Sequence, residues 1–312
     1  MSQQSKTNPS QFARRSNAKA LLYLIVPTVL GSTLVATLSL SWPLYLLGQL
    51  CGAVFFAQAF ILLHECGHSS FFETKRLNHL AGYLISSLVF IPFYNWRQIH
   101  SLHHKWTGWR DKDPTTEKTF ATRLSPKQEL LVNVCWRWSI PLFTIGYRFG
   151  IYWKAEKLKR HLSESHYRRS LREIYVYLCL YITTIVYFPK VWLALCPALL
   201  LSFVITDILS LSQHSHIEMK TAGSDDVRPL KYQEQADYSR SLVVPNVVSR
   251  FLFLNFNHHE AHHVYPGIPC YRLHQLQDTY SNSYKLIPWL RRVKSMKGVD
   301  FVFRSSAKRD GF

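Results

Sequence analysis

Long apolar stretches alternate with strongly polar ones along this chain, and the alternation sets the first expectation. No Lys, Arg, Asp or Glu lies between Lys19 and His64. A helix rising ~1.5 Å per residue could cross a ~30 Å hydrocarbon core twice in that length. Trp42-Pro43 is the natural turn between the two arms. A second uncharged region, Ile174 to Thr206, is interrupted only by Lys190 beside Pro189 and predicts another helical hairpin. Its arms are shorter, and flanking residues such as Ile208 to Leu211 are needed to reach spanning length. Leu80 to Tyr94 is too short to cross and predicts a buried or interfacial element. Leu130 to Trp153 contains Arg137 and Arg148, which are costly at mid-membrane, and predicts an amphipathic helix lying at the surface. The fold expected is all-α and integral to a membrane, with four transmembrane helices in two hairpins and a cytoplasmic helical cap.

Charge supports that topology. The formal net charge is +18, and 36 of the 37 Lys and Arg residues fall before residue 21, between residues 64 and 172, or after residue 212. Placing both termini and the middle loop in the cytoplasm puts all of these on the side where basic residues accumulate. The charge thus follows a membrane pattern, no nucleic-acid module is visible, and nucleic acid is not an expected partner. Membrane lipids with anionic headgroups, phosphate-bearing substrate carriers and acidic electron-donor proteins suit such a face. The six cysteines are scattered, with Cys51, Cys179 and Cys196 in predicted spans, and form no disulfide or zinc pattern. The basic start before the first apolar run reads as an uncleaved anchor rather than a signal peptide.

The chemistry lies in the histidines. Most of the 15 fall into four groups: His64-Glu65-Cys66-Gly67-His68, His100-Ser101-Leu102-His103-His104, Gln213-His214-Ser215-His216 and His259-Glu260-Ala261-His262-His263. On a helix, residues three or four apart share a face, so the HxxxH and HxxHH spacings aim imidazoles at one place. Neutral imidazole suits several transition metals, and ligand type alone names none of them. Nine histidines are too many for one tetrahedral zinc and enough for two metals of higher coordination. The candidate ligands are His64, His68, His100, His103, His104, His214, His259, His262 and His263. In the four-span topology all of them open on the cytoplasmic side, so the cap would hold a di-metal site. His214 is preferred to His216 because Asp207 and Ser210 precede it by seven and four residues, forming one polar stripe on an apolar helix. Asp207 is expected to support a ligand or a metal-bound water. Glu65 and Glu260 point away from the histidine face and suit supporting or surface roles. His79, His161, His166 and His274 lack such partners and read as ordinary solvated or hydrogen-bonded residues. A transmembrane metal carrier would need ligands along a path across the bilayer, whereas here only one end bears them.

The three principal boxes, in the order HxxxH, HxxHH, HxxHH, resemble those of the membrane fatty acid desaturases. Arg76-Leu77-Asn78 after the first box, Trp96-Arg97 before His100, and Pro266 to Leu273 after the third box match as well, and the resemblance covers roughly residues 40 to 275. It marks Asn78, Trp96 and Arg97, with Asp207 and Ser210, as candidates for supporting the ligands. Ser210 departs from the animal acyl-CoA desaturases, which carry Asn there. The resemblance implies two non-haem iron ions, dioxygen as co-substrate, and insertion of a double bond into a fatty acyl lipid or acyl thioester. Hydroxylases and ketolases acting on acyl, sterol or carotenoid substrates share the platform and form the alternative. The stretch Trp106-Thr107-Gly108-Trp109, with Asp111, Lys112 and Asp113, is a candidate for the substrate entrance. No iron–sulfur cysteine pattern, dinucleotide glycine fingerprint or His-Pro-Gly-Gly haem motif occurs, so a separate ferredoxin or cytochrome b5-like electron donor is implied. Residues 1–20 read as a cytoplasmic N-terminal segment, 21–275 as a desaturase-like catalytic domain, and 276–312 as a cytoplasmic C-terminal tail.

Overall fold

The computed structural model describes residues 9–304 apart from 118, 120–122, 224–225 and 280–281. The expected terminal segments, 1–20 and 276–312, therefore lie partly outside the described residues. The chain is mostly helical. Helix α1 (Asn17–Thr37) is capped by Ser16, whose side chain accepts a hydrogen bond from the Lys19 amide at 3.4 Å, and α2 spans Trp42–Gly67. The turn falls at residues 38–41, just ahead of Pro43. That proline occupies the first turn of α2, where its missing N–H leaves no rung empty.

Helices α3 (Lys75–Leu88) and α4 (Phe93–Trp106) follow, bent by 104° at the break between them. The expected short element over Leu80 to Tyr94 is this bend. Next come α5 (Pro126–Arg137), α6 (Leu142–Tyr147), a π-helical turn (Arg148–Tyr152) and α7 (Ala155–His161). Helix α8 (Glu164–Tyr187) and α9 (Pro189–His214) form the second hairpin, again with a proline opening the second arm. Beyond it lie a 3-10 helix (Tyr232–Tyr238), strand β1 (Ser241–Val243), α10 (Asn246–Phe251), α11 (His259–Val264), α12 (Cys270–Leu273), a 3-10 helix (His274–Thr279), β2 (Ser283–Lys285), α13 (Leu286–Ser295) and α14 (Gly298–Val302). Strands β1 and β2 pair in parallel, so the expected all-α architecture contains one small two-stranded sheet.

Three described helices are long and apolar enough to cross a membrane: α1, α2 and α9. The bent pair α3–α4 has the composition for a further crossing but not the straightness. The fourth expected arm, α8, is helical as foreseen, yet Glu164, Arg168, Arg169, Arg172 and Glu173 crowd its first half. Its second half exposes Val176, Ile182, Ile185 and Val186, as α1 exposes Leu21, Leu22, Ile25 and Val29. Such uncovered apolar faces suit lipid.

Helix α2 is the central member, packed against α1 on one side and α9 on the other. Gly52 makes the close approach possible, because a Cβ there would meet Leu34 Cδ2 at 2.7 Å and Ala198 Cβ at 2.9 Å. Gln49 is buried at the same level. Its Nε2 donates to the Ala194 carbonyl at 3.1 Å and its Oε1 accepts from the Ala198 amide at 2.9 Å. The side chain thereby ties α2 to backbone groups of α9 beside Pro197 and leaves neither of those two side-chain atoms unpaired in an apolar layer.

The amphipathic surface helix expected over Leu130 to Trp153 is not formed. That stretch breaks into α5, α6 and the π-helical turn, and of its two arginines only Arg137 is exposed. Arg148 is buried because the α3–α4 bend frees the Val89 carbonyl, to which Arg148 Nη1 donates. The Trp153 indole N–H likewise serves the Phe90 carbonyl at 2.9 Å, and Asn95 Nδ2 returns to the Tyr152 carbonyl at 3.0 Å. The bend and the turn hold each other.

Candidate metal centre

The first histidine box closes α2. His64 lies on its last turn, and His68 is its C-cap. Gly67 is required between them, since a Cβ would run into the Trp96 ring. Trp96 in turn stacks on His100, with ring centroids 4.2 Å apart and planes at 20°. Arg97 donates through Nε to the Gly67 carbonyl at 3.2 Å, satisfying the helix end. Helix α4 carries His100, His103 and His104, α9 ends on His214, and the short α11 carries His259, His262 and His263.

These nine imidazoles gather into two groups. His64, His68, His100, His104 and His262 form one, and His103, His214, His259 and His263 the other, each with its candidate ligand atoms within 4.8 Å of one another. In the second group the Nε2 atoms of His214, His259 and His263 make a triangle of 2.9, 3.1 and 3.0 Å. The ring tautomers decide what this triangle means. His214 Nδ1 faces the Tyr238 carbonyl at 2.9 Å and must donate to it. His263 Nδ1 faces Gln235 Oε1 at 3.0 Å, and that amide is oriented by its own Nε2 donating to the His104 carbonyl at 2.8 Å. His103 Nδ1 faces Asp113 Oδ2 at 2.6 Å. Each of these three rings therefore carries a hydrogen on Nδ1, and in the neutral form of His214 and His263 this leaves a bare lone pair on Nε2. Two lone pairs 3.1 Å apart, those of His214 and His263, cannot hydrogen-bond to each other; a cation between them resolves the contact. Separations near 3.0 Å are also what metal–imidazole bonds of about 2.0–2.1 Å give at right angles.

The first group shows the same crowding, with Nε2 atoms 2.9 Å apart for His68–His100 and 3.1 Å for both His100–His104 and His104–His262. His64 Nε2 is buried with no hydrogen-bond partner among the described residues. Burial disfavours the charged form of six of these imidazoles. His68 is pushed down to about 3, and His100, His104, His259, His262 and His263 lie well below the ordinary value. Neutral rings with converging lone pairs fit transition metals, iron among them.

Supporting residues emerged that spacing had not marked. Asp113 was expected at the substrate entrance but is buried, anchoring His103 while its Oδ1 accepts from the Thr115 amide and hydroxyl at 2.8 Å each. Gln235 and Tyr238 sit on the 3-10 helix, far from the boxes in sequence. Glu65 and Glu260 are both 1% exposed, so neither takes the surface role. Glu65 Oε2 accepts from the Ser70 hydroxyl at 3.0 Å and the Cys270 amide at 2.8 Å, tying the first box to the segment after the third. Its Oε1 lies 3.4 Å from His64 Nδ1. Glu260 Oε2 accepts from the Asn282 amide at 3.1 Å. Asn78 folds the loop after the first box, exchanging hydrogen bonds with both backbone groups of Phe72, and touches no ligand.

A cavity of about 1100 Å³ of empty space, partly open to solvent, adjoins both groups, with His64, His100, His103, His214 and His259 in its wall. Ser210 and Asp207 line it too. Asp207 accepts a hydrogen bond from the Thr144 amide at the start of α6, and no histidine is its hydrogen-bond partner. Asp207 thus caps a short helix while lining the cavity. Of the stretch Trp106 to Asp113, only Arg110 reaches the cavity. Gly108, at φ +94°, turns the chain away, Trp109 donates to the Arg228 carbonyl at 2.9 Å, and Asp111 accepts from the Ala222 amide at 3.1 Å. His216 lines the cavity outside both groups. His79, His161 and His166 stand apart, beside Arg97, Glu117 and the Tyr94 hydroxyl respectively.

Residues 40–292 match the sequence profile of the fatty acid desaturase family. The chain belongs to that family. Among its relatives, the chain is 34% identical over 130 residues to the chloroplastic sn-2 acyl-lipid omega-3 desaturase (ferredoxin) of Arabidopsis thaliana, covering 40% of this chain and 26% of that protein. It is 32% identical over 154 residues to the endoplasmic reticulum omega-3 fatty acid desaturase of Vigna radiata var. radiata, covering 46% and 38%. With the Delta(12) fatty acid desaturase of Mortierella isabellina it shares 41% identity over 76 residues, covering 24% and 18%. The matched part of the chain thus spans less than two fifths of each relative's length.

Proposed function

We propose that this protein is an oxygen-dependent oxidoreductase that inserts a double bond into a fatty acyl chain at a centre of two iron ions. The observation that carries the reading is the pair of imidazole groups, whose facing lone pairs call for cations, set beside a cavity that has members of both groups in its wall. The relatives are named omega-3 and Delta(12) desaturases, which favours acyl desaturation over the hydroxylase or ketolase alternative. The first group would hold one metal and the second group the other. Bound iron would supply the capacity to reduce dioxygen to two waters, using two electrons from an external donor, two protons from solvent and the two hydrogens of adjacent methylene groups. The chain's own residues orient the rings, keep them neutral, and exclude water from the wall facing the substrate.

The reading extends to topology and partners. Four crossings, by α1, α2, α8 and α9, would put both termini and the histidine cap on the cytoplasmic face, in keeping with the basic-residue distribution. Residues 21–275 would form the catalytic domain. A separate donor of ferredoxin or cytochrome b5 type would dock on the basic face. The ferredoxin named for one relative favours the first.

Lipid profiling of cells expressing the chain, against cells expressing His103→Ala, tests the reading. New unsaturated acyl chains present only with the unchanged protein are expected. Identical profiles at equal expression would remove the reading, and labelled oxygen found in the product would turn it into hydroxylation.

A further inference from the structure

The cavity beside the metal centre does not end on hydrocarbon. Arg148 is 3% exposed, and its guanidinium packs over Phe203 and Phe60, 4.4 and 5.6 Å from the ring centroids. Phe60 precedes His64 by four residues on α2, and Phe203 precedes His214 by eleven on α9. Arg148 therefore sits roughly 6–16 Å deeper in the bundle than the histidines of those helices. One of its N–H groups serves the Val89 carbonyl. Tyr152 and Asp207 lie close enough to favour its charge, and although burial lowers it to about 9, it stays protonated at neutral pH. Tyr147, Tyr152, Arg148 and Asp207 all line the same cavity. Among the described residues, neither the Tyr147 nor the Tyr152 hydroxyl forms a hydrogen bond.

A plain hydrocarbon tail in this space would strip water from a guanidinium, two phenols and a carboxylate and offer no partner in return. A carboxylate on the guest would meet Asp207. A hydroxyl both donates and accepts, and so complements a site with a donor on one side and acceptors on the other. We propose that the cavity is built for an acyl chain bearing a hydroxyl group beyond the reacting carbons, with Arg148 and Tyr152 as the residues that recognise it. The inference rests on the acyl-desaturase reading and narrows its substrate class. Sites built to hydrogen-bond a substrate hydroxyl discriminate strongly against the analogue that lacks it.

The test uses full-length, iron-loaded protein in lipid nanodiscs, with octadecanoic acid and a set of monohydroxylated octadecanoic acids as probes. Binding is read by thermal stabilisation without any electron donor, and turnover separately by product analysis with one. At least one hydroxylated probe is expected to bind about tenfold or more tighter than the plain acid. Tyr152→Phe, which removes a single oxygen, should abolish most of that preference at unchanged iron content, and Arg148→Met should do the same if it folds. Equal binding of all probes by the unchanged protein, or a preference that survives Tyr152→Phe, would overturn the inference. Selective binding without desaturation of any probe would instead sink the functional reading and leave the recognition site standing.

Discussion

The two imidazole groups are built by different means. In the group of four, His103, His214 and His263 are each tethered through Nδ1, to a carboxylate, a backbone carbonyl and a side-chain amide. In the group of five, His104 and His262 have buried Nδ1 atoms with no partner among the described residues, and the His64–Glu65 contact is long at 3.4 Å. That group is positioned by packing, with Trp96 stacked on His100 and rings stacked or edge-on around His64. Tethering fixes both the tautomer and the direction of a ring, whereas packing fixes only its place. The smaller group buys directional certainty with polar partners, and the larger one has a spare ligand.

Removing metal strains both groups at once and should have the largest effect. In the metal-free protein the folded values of His68, His100, His104, His259, His262 and His263 lie below the ordinary value, while unfolded rings titrate near 6.5. Below about pH 6.5 the unfolded chain thus binds more protons than the folded one. Stability present above that pH is lost as pH falls, by up to about 1.4 kcal/mol per pH unit for each ring. Thermal unfolding of chelated protein should drop steeply between about pH 7 and about pH 5, and ferrous ion should restore it by binding the folded state alone. A flat midpoint over that range would mean the rings are not held neutral.

Ligand deletions separate the groups. His263→Ala leaves three imidazoles in the smaller group and also frees Gln235, so we expect loss of about one iron per chain and of activity by roughly a thousandfold, about 4 kcal/mol. His68→Ala leaves four in the larger group and should keep most of the iron. Equal iron loss in both variants would erase the contrast. Asp113→Asn tests tethering more gently. Asn cannot supply the charge that faces His103, and a loss of metal affinity of about 10–100-fold is expected, read by chelator competition.

What the sequence revealed of this site divides along the same line. The gathering of the candidate ligands was legible because helical periodicity is local: three or four residues apart means one face, and the boxes announce it. The tethers were not, because Gln235 meets the His104 carbonyl across 131 positions and Tyr238 offers only a backbone oxygen, which no residue type betrays. Asp113 was visible but misassigned, since spacing cannot show that Gly108 turns the chain back beneath His103. Arg148 was misplaced for a related reason. A cation in an apolar stretch suggests a surface, and only the carbonyl freed at the α3–α4 bend, with two aromatic faces beside it, makes burial tolerable. The three helices apolar enough to cross a membrane were legible from charge alone, whereas in α8 a charged half and an apolar half share one helix.

The smallest effect is expected where a carboxylate lies beside a ligand without gripping it. Glu65 resembles Asp113 in the sequence, being an acidic residue near a histidine box, and in burial. Its short hydrogen bonds, however, go to the Ser70 hydroxyl and the Cys270 amide, with His64 farther off. In Glu65→Gln the amide oxygen can still accept from both of those groups, so the link between the first box and the segment after the third survives. In the proposed centre His64 would also share its metal with four other imidazoles, so a small change in its tilt would be spread over the group. Metal affinity should fall less than about tenfold, below the range expected for Asp113→Asn. The measurement is the same chelator competition, run on the two variants side by side. If Glu65→Gln loses as much metal as Asp113→Asn, the larger group is tethered after all, and packing is not what positions it.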